Sequence, residues 1–290
     1  MWFVVFLLIT SFATDLATAQ SINISEMKNS ALKAQRGKEI NQFLSDLSAK
    51  KARIKALKRR VSEVNSSSTS ADDIKQTTDE LNTLNKEIRY KETNMRQIIG
   101  LVEIDPSDYG VVFPLSDGKV TFTGTMYYDT IFSNSWVVSV DYEWANREYL
   151  NQKSGDGNLG GYEGFTVGLN RQILTHSTSA YVYDYWEGQS QDNVTFYEDY
   201  SNYGRSWKWQ DKINAGKIRN YNSHSGNFNI YFEFATEPSS GNKTQYHGTY
   251  AHTWNTTSIS SLGIGPYSAT IGWSNEGYNW SDASQWIYTH

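Results

Sequence analysis

Phe228-Asn229-Ile230-Tyr231-Phe232-Glu233-Phe234 puts a large apolar side chain at every second position. A period of two belongs to a β-strand, whose successive side chains point to opposite faces. The same alternation recurs on both sides of this stretch. Val120, Phe122, Gly124, Met126 and Tyr128 form one face of an earlier strand. Trp136, Val138, Val140, Tyr142 and Trp144 form the next, opposite the more polar Ser139, Asp141 and Glu143. Downstream, Tyr246 to Trp254, Tyr267 to Trp273 and Gln285 to Tyr288 repeat it, and Tyr181–Trp186 and Ser206–Gln210 are shorter candidates. Ser116-Asp117-Gly118, Ser239-Ser240-Gly241-Asn242, Gly263-Ile264-Gly265-Pro266 and Asn275-Glu276-Gly277 supply turns between the runs. Seven to nine short strands of this kind predict an antiparallel β-sandwich or jelly roll over residues 101–290. Residues 159–176 read two ways: Phe165, Val167 and Leu169 as strand, or Leu169 to Leu174 as a helical turn or two. Asn193 to Tyr203 reads as a long loop, and Ser154 to Gly161 as a flexible glycine-rich one. The expected interior includes Trp136, Val138, Val140, Phe228, Phe232 and Ile271.

Before residue 100 the period changes to seven. Ile40, Leu47, Ile54 and Val61 take one heptad position, and Phe43, Lys50, Leu57 and Val64 follow three residues on. A second set, out of phase with the first, runs Ile74, Leu81, Ile88, Met95 with Thr77, Leu84, Lys91, Ile98, and Gly100 stops it. The turn-forming run at 65–70 separates the two sets. The fold class predicted is therefore α+β in two parts. An antiparallel α-helical coiled-coil hairpin covers 20–100, with its loop near 65–71, and an aromatic-rich β-sandwich covers 101–290. The rival is one continuous coiled coil that self-associates. A lone hairpin has a thin apolar seam, so the helices are expected to pack on a second copy, on the C-terminal part, or on a partner.

Met1 to Ala13 is mostly apolar but too short to span a bilayer, and Ala17-Thr18-Ala19 has the small-x-small form of a cleavage site. Residues 1–19 are expected to be a signal peptide, and the protein secreted or held at the cell surface. With no Cys in the chain, disulfides and thiolate metal sites are excluded together. Seven cations fall in the eleven residues from Lys50 to Arg60, and net charge runs from about +6 over 31–99 to about −10 over 100–290. That basic run is either a solvated face neutralised by acidic neighbours or an attachment to an anionic wall or membrane surface. Nucleic acid is not expected, because no recognition motif accompanies the charge.

Nine of ten Trp and nineteen of twenty Tyr lie after residue 100. An interior takes many of them, since large aromatics dominate burial. The expectation is that the remainder face outward and meet a glycan or cell-wall polymer. The residues predicted to make that contact are Tyr183, Tyr185, Trp186, Glu187, Tyr197, Tyr200, Trp207 and Trp209, where rings alternate with carboxylates and amides. No catalytic residue, metal ligand or cofactor is predicted. There is no G-x-S-x-G and no H-E-x-x-H, and the odd spacing of His247 and His252 sets them on opposite faces of a strand. Two other function classes remain in view. A membrane-active, pore-forming-like toxin would use the Ser/Thr-rich stretch from Thr253 to Thr270. A glycoside hydrolase would draw its acids from Glu187, Glu198 and Glu233.

Overall fold

The computed structural model describes residues 3–64, 71–104, 113–114, 119–145, 157–189, 194–214, 220–275 and 277–290, with side-chain detail from Met27 onward. The protein is α+β, with a helical N-terminal region and mostly antiparallel sheets. Helix α1 (Phe3–Val64) is followed by α2 (Ala71–Thr93) and the short α3 (Met95–Ile99). Gly100 ends α3 in the left-handed region (φ 67°), its N–H returning to the Arg96 carbonyl at 3.0 Å. The predicted loop at 65–70 lies outside the described residues.

Strands follow in the order β1 (Leu101–Ile104), β2 (Phe113–Pro114), β3 (Val120–Asp129), β4 (Ser135–Trp144), β5 (Gly157–Leu169), β6 (Ile173–Tyr183) and β7 (Tyr197–Ser201). Then come β8 (Gly204–Asn214), β9 (Asn220–Tyr221), β10 (Ser225–Phe234), β11 (Lys243–Thr253), β12 (Ile259–Ile264), β13 (Ala269–Trp273) and β14 (Asn279–Thr289). One sheet has the order β1-β3-β4-β10-β6. The other runs β2-β14-β11-β5-β8-β7 with β9 beside β8, and β12-β13 stands apart as a hairpin. Residues 169–174 make a strand-to-strand turn, not a helix. Tyr197–Ser201, expected as loop, is an edge strand held by backbone pairing to β8. Of the predicted glycine-rich loop, residues 157–161 belong to β5.

The two sheets meet in one apolar core. Phe165 from the second sheet stacks on Phe228 from the first, with ring centroids 4.1 Å apart, and Val138, Val140, Phe232, Trp207 and Trp209 surround them. Five of the six residues expected inside are in this core. Ile271 is instead half-buried in a separate small cluster, because β12–β13 packs on the outer side of β5 over Ile259 and Leu262.

The central strands β4 and β10 are buried on both faces. Their even-numbered side chains enter the core, while Val137, Ser139, Asp141, Asn227, Asn229 and Tyr231 lie under α1. The helical seam thus faces the C-terminal part of the same chain. Ile40, Leu47, Ile54, Leu81, Ile88 and Met95 from the heptad pattern share one cluster with Tyr127, Val137 and Tyr231 of the sheet. The two charged heptad positions are explained by one acid: Lys50 and Lys91 both pair with Asp46, which sits between the helices. Ion pairs Lys91–Asp46, Lys50–Glu87 and Arg53–Glu80 run in opposite directions along α1 and α2, so the two helices are antiparallel where they touch. Among the described residues, no helix is long and apolar enough to cross a membrane.

Candidate functional site

The groove lies on the outer side of the second sheet, where β5 is bulged. Asn158 pairs with Lys212 and Tyr162 with Gln210, so three residues of β5 bulge out opposite the single Asp211. Two of the three are glycines for lack of room. A Cβ on Gly160 would stand 2.6 Å from Trp254 Cα, and one on Gly161 would stand 2.2 Å from Ser258 Cβ. The bulge tucks under the turn after β11 and turns Tyr162 outward. Tyr162 then meets Tyr197 of β7 edge-on, with centroids 5.4 Å apart and planes at 72°.

These two rings form one wall of an open groove of about 340 Å³, completed by Asn158, Thr195, Gln210, Lys212 and Asn222. Lys208 stands over the Tyr162 ring at 6.0 Å. The Asn222 side-chain oxygen accepts from the Lys212 N–H (2.8 Å) and from the Ser223 hydroxyl (3.1 Å), which leaves its amide nitrogen for a ligand. Gln210 donates to the Gly161 carbonyl at 2.9 Å and is fixed by the bulge. Two tyrosine faces, three amide side chains and a lysine, with no carboxylate among the lining residues, make a surface that can stack on and hydrogen-bond a polar ring compound.

Of the eight residues predicted for contact, Tyr197 is in this groove and 52% exposed. Tyr200, 71% exposed, lies on the opposite face of β7, where its ring carries the Arg205 guanidinium at 4.5 Å. The other six are placed elsewhere. Trp207 and Trp209 share the inward parity of β8 and are sealed in the core, so neither ring is available to a ligand. Tyr183 is buried beneath α1, its hydroxyl donating to the Ser45 carbonyl at 3.2 Å. Tyr185 is buried between the Arg59 guanidinium and His224. Trp186 is half-buried, and Glu187 pairs with Arg53 and Arg60 of α1. The expected surface cluster is split because α1 engages Tyr183, Tyr185 and Glu187 while the core takes Trp207 and Trp209. The acids considered for hydrolysis are also apart: Glu233 is held by Lys33 and His176, Glu187 by α1, and Glu198 meets Tyr200 at an exposed edge.

On the opposite face of β5, directly after Tyr162, Glu163 is fully buried. Its Oε1 accepts the Thr253 N–H at 2.9 Å and lies 2.9 Å from His252 Nδ1, while Oε2 meets the Tyr250 hydroxyl. Asp211 is next to it on β8, accepting from the Tyr221 hydroxyl at 3.0 Å. Among the described residues, Glu163, Asp211 and His252 are the one group of three whose potential metal-binding atoms lie within 4.8 Å of one another. Both oxygens of Glu163 are already engaged, so the cluster is packed as a closed hydrogen-bond network. Burial pushes Glu163 up to about 8 against the pull of Thr253 and Tyr250, and it lowers His252 to about 4. Asp211 is likewise raised by burial and by Glu163 beside it. The sequence reading did not single out this cluster. The signal was present in parity: Glu163 shares a face with Phe165 and Val167, Asp211 with Trp207 and Trp209, and His252 with Tyr250.

No protein-family model matches the chain, and no curated protein matches it. Among solved structures, a chain described as "AvmM Catalyzes Macrocyclization in Alchivemycin A Biosynthesis" aligns over 56% of this chain and 91% of its own, at 12% identity and a TM-score of 0.22. A TM-score that low carries no argument about fold or function.

Proposed function

We propose that this is a secreted binding protein that contacts a glycan or cell-surface polymer through the groove between Tyr162 and Tyr197. The observation that carries the reading is the edge-on pair of outward tyrosines beside Asn158, Gln210 and Asn222. A pyranose presents an apolar face and a rim of hydroxyls, and this groove offers rings for the one and amides for the other. In this reading residues 1–19 are a cleaved export signal. The antiparallel α1 and α2 form a coiled-coil hairpin that braces the sheet, and the two sheets form a β-sandwich. The mode of action is binding rather than catalysis.

The test is a glycan array followed by calorimetry on the best hit. Tyr197→Ala and Tyr162→Ala are each expected to weaken binding by roughly tenfold, the equivalent of about 1.4 kcal/mol, and Tyr197→Ala, at the exposed ring, to do so without lowering the melting temperature. A wild-type protein that captures no saccharide, or a hit whose affinity survives both substitutions, would rule the groove out.

A further inference from the structure

The basic run of α1 is mostly neutralised. Lys50 pairs with Asp46 and Glu87, Lys51 with Glu92, Arg53 with Glu80 and Glu187, and Arg60 with Glu187. Lys55, Lys58 and Arg59 are different. They sit at i, i+3 and i+4, so they share one face of the helix. Among the described side chains, that face has one carboxylate in ion-pair reach, Glu143 near the end of β4, paired with Lys55 and, at 3.0 Å, with Arg59. Burial alone would raise Glu143, yet His224 and Lys55 hold it at about 2, so it counts as one full negative charge. Lys58 is exposed and has no carboxylate in ion-pair reach among the described residues. Among the described side chains of this pocket, three cations face one anion, in a chain whose net charge is −5.

These groups line a pocket of about 390 Å³, together with Trp144, Tyr185 and His224. His224 is only 3% exposed. Its Nε2 lies 3.3 Å from Arg59 Nη1 and 3.7 Å from the Glu143 carboxylate, while its Nδ1 has no hydrogen-bond partner among the described residues. Arg59 Nε is also without a partner, although the rest of that guanidinium is fixed by Glu143, by the Tyr185 carbonyl (2.6 Å) and by stacking on the Tyr185 ring (4.5 Å). Buried nitrogens left unpaired are uncommon in folded proteins and need a reason. Here the two residues that carry them, Arg59 and His224, both line a pocket rich in cations.

We propose that this pocket binds an oxyanion group, a phosphate, sulfate or carboxylate carried on a small polar ligand. Lys58 and Lys55 supply the charge at the mouth, and the fixed Arg59 and His224 form the floor. Trp144 and Tyr185 give the carrier an aromatic wall. The site is separate from the Tyr162–Tyr197 groove and stands or falls independently of it.

Calorimetric titration of the full chain with inorganic phosphate, sulfate and glucuronate tests the proposal and distinguishes the three sources. At least one should bind saturably, with a Kd on the order of 1 mM. Lys58→Glu, on an exposed position that the fold does not need, is expected to weaken that binding by roughly tenfold or more. Lys38→Glu, an exposed lysine on the same helix away from the pocket, and Tyr197→Ala, in the other groove, should leave it unchanged. Absence of saturable binding for all three anions overturns the proposal. An affinity that Lys58→Glu does not change, or that Lys38→Glu reduces equally, overturns it as well, since the attraction would then be general charge and not this pocket.

Discussion

At Glu163 the chain places a carboxyl group in an interior that disfavours its charge. Folding holds its proton up to about 8, whereas the same group ionises near 4.5 when exposed. Between these values the unfolded chain has released a proton that the folded chain keeps. The group therefore subtracts stability as pH rises from 4.5 to 8, and nothing further beyond. His252 works in the opposite sense: burial lowers it from 6.5 to about 4, so between 4 and 6.5 the unfolded chain binds a proton that the fold refuses, and stability rises with pH. Above 6.5 Glu163 is no longer opposed by His252, and the raised Asp211 adds to it. The melting temperature is expected to fall between pH 6.5 and 8. In Glu163→Gln that fall should be shallower by on the order of 1–2 kcal/mol, at 1.4 kcal/mol per pKa unit. Thermal scans across this window check it, and an unchanged slope in the variant would mean that Glu163 is not the titrating group. Single residues of this kind were only half legible. Strand parity gives the face on which Glu163, Asp211 and His252 lie, but not that three separate strands bring them together.

Helix α1 is the element whose role the sequence described least well. Its heptads announce an apolar seam, and its basic stretch announces charge, yet neither says what lies opposite. The answer is the outer face of the first sheet, and polar bonds flank the apolar cluster at the joint. Ser48 donates to Asp141 at 2.7 Å and Asn41 to Ser177 at 3.0 Å. Arg36 reaches Asp129 with two bonds of 3.1 Å, and Asp129 also accepts from the Tyr231 hydroxyl at 2.9 Å and from the Ile131 N–H at 3.0 Å. Asp129 is fully buried, so removing its guanidinium leaves a charge in the interior. Arg36→Ala is expected to cost about 3–5 kcal/mol, measured by urea denaturation. Lys51→Ala, which breaks the half-exposed pair with Glu92, should cost about 0–1 kcal/mol. Equal losses in the two variants would mean that the helix is not anchored at Asp129. The same helix buries Tyr183 and Tyr185 and pairs with the half-exposed Glu187, three residues promising in the sequence as a surface patch.

On the scale of the whole molecule, three layers succeed one another: helices, the β1-β3-β4-β10-β6 sheet, and the sheet that carries the groove. The central strands of the middle layer, β4 and β10, have no face of their own for water. A fragment of residues 101–290 would expose Val137, Tyr127, Tyr231 and the buried Asp129. It is expected to bind a hydrophobic dye and to aggregate more strongly than the full chain. A monomeric fragment with unchanged near-ultraviolet circular dichroism would show that the helices are dispensable to the β region. Local pattern fixed much of this architecture. Period two against period seven separates strand from helix, Gly100 marks the boundary, and alternation selects Val138, Val140, Phe228 and Phe232 for the core, because these features depend only on neighbours along the chain. Which aromatics face outward was decided by tertiary structure alone. A ring's exposure depends on what packs over it, and the covers here, α1 above Tyr183 and the opposing sheet above Trp207 and Trp209, come from residues far away in sequence.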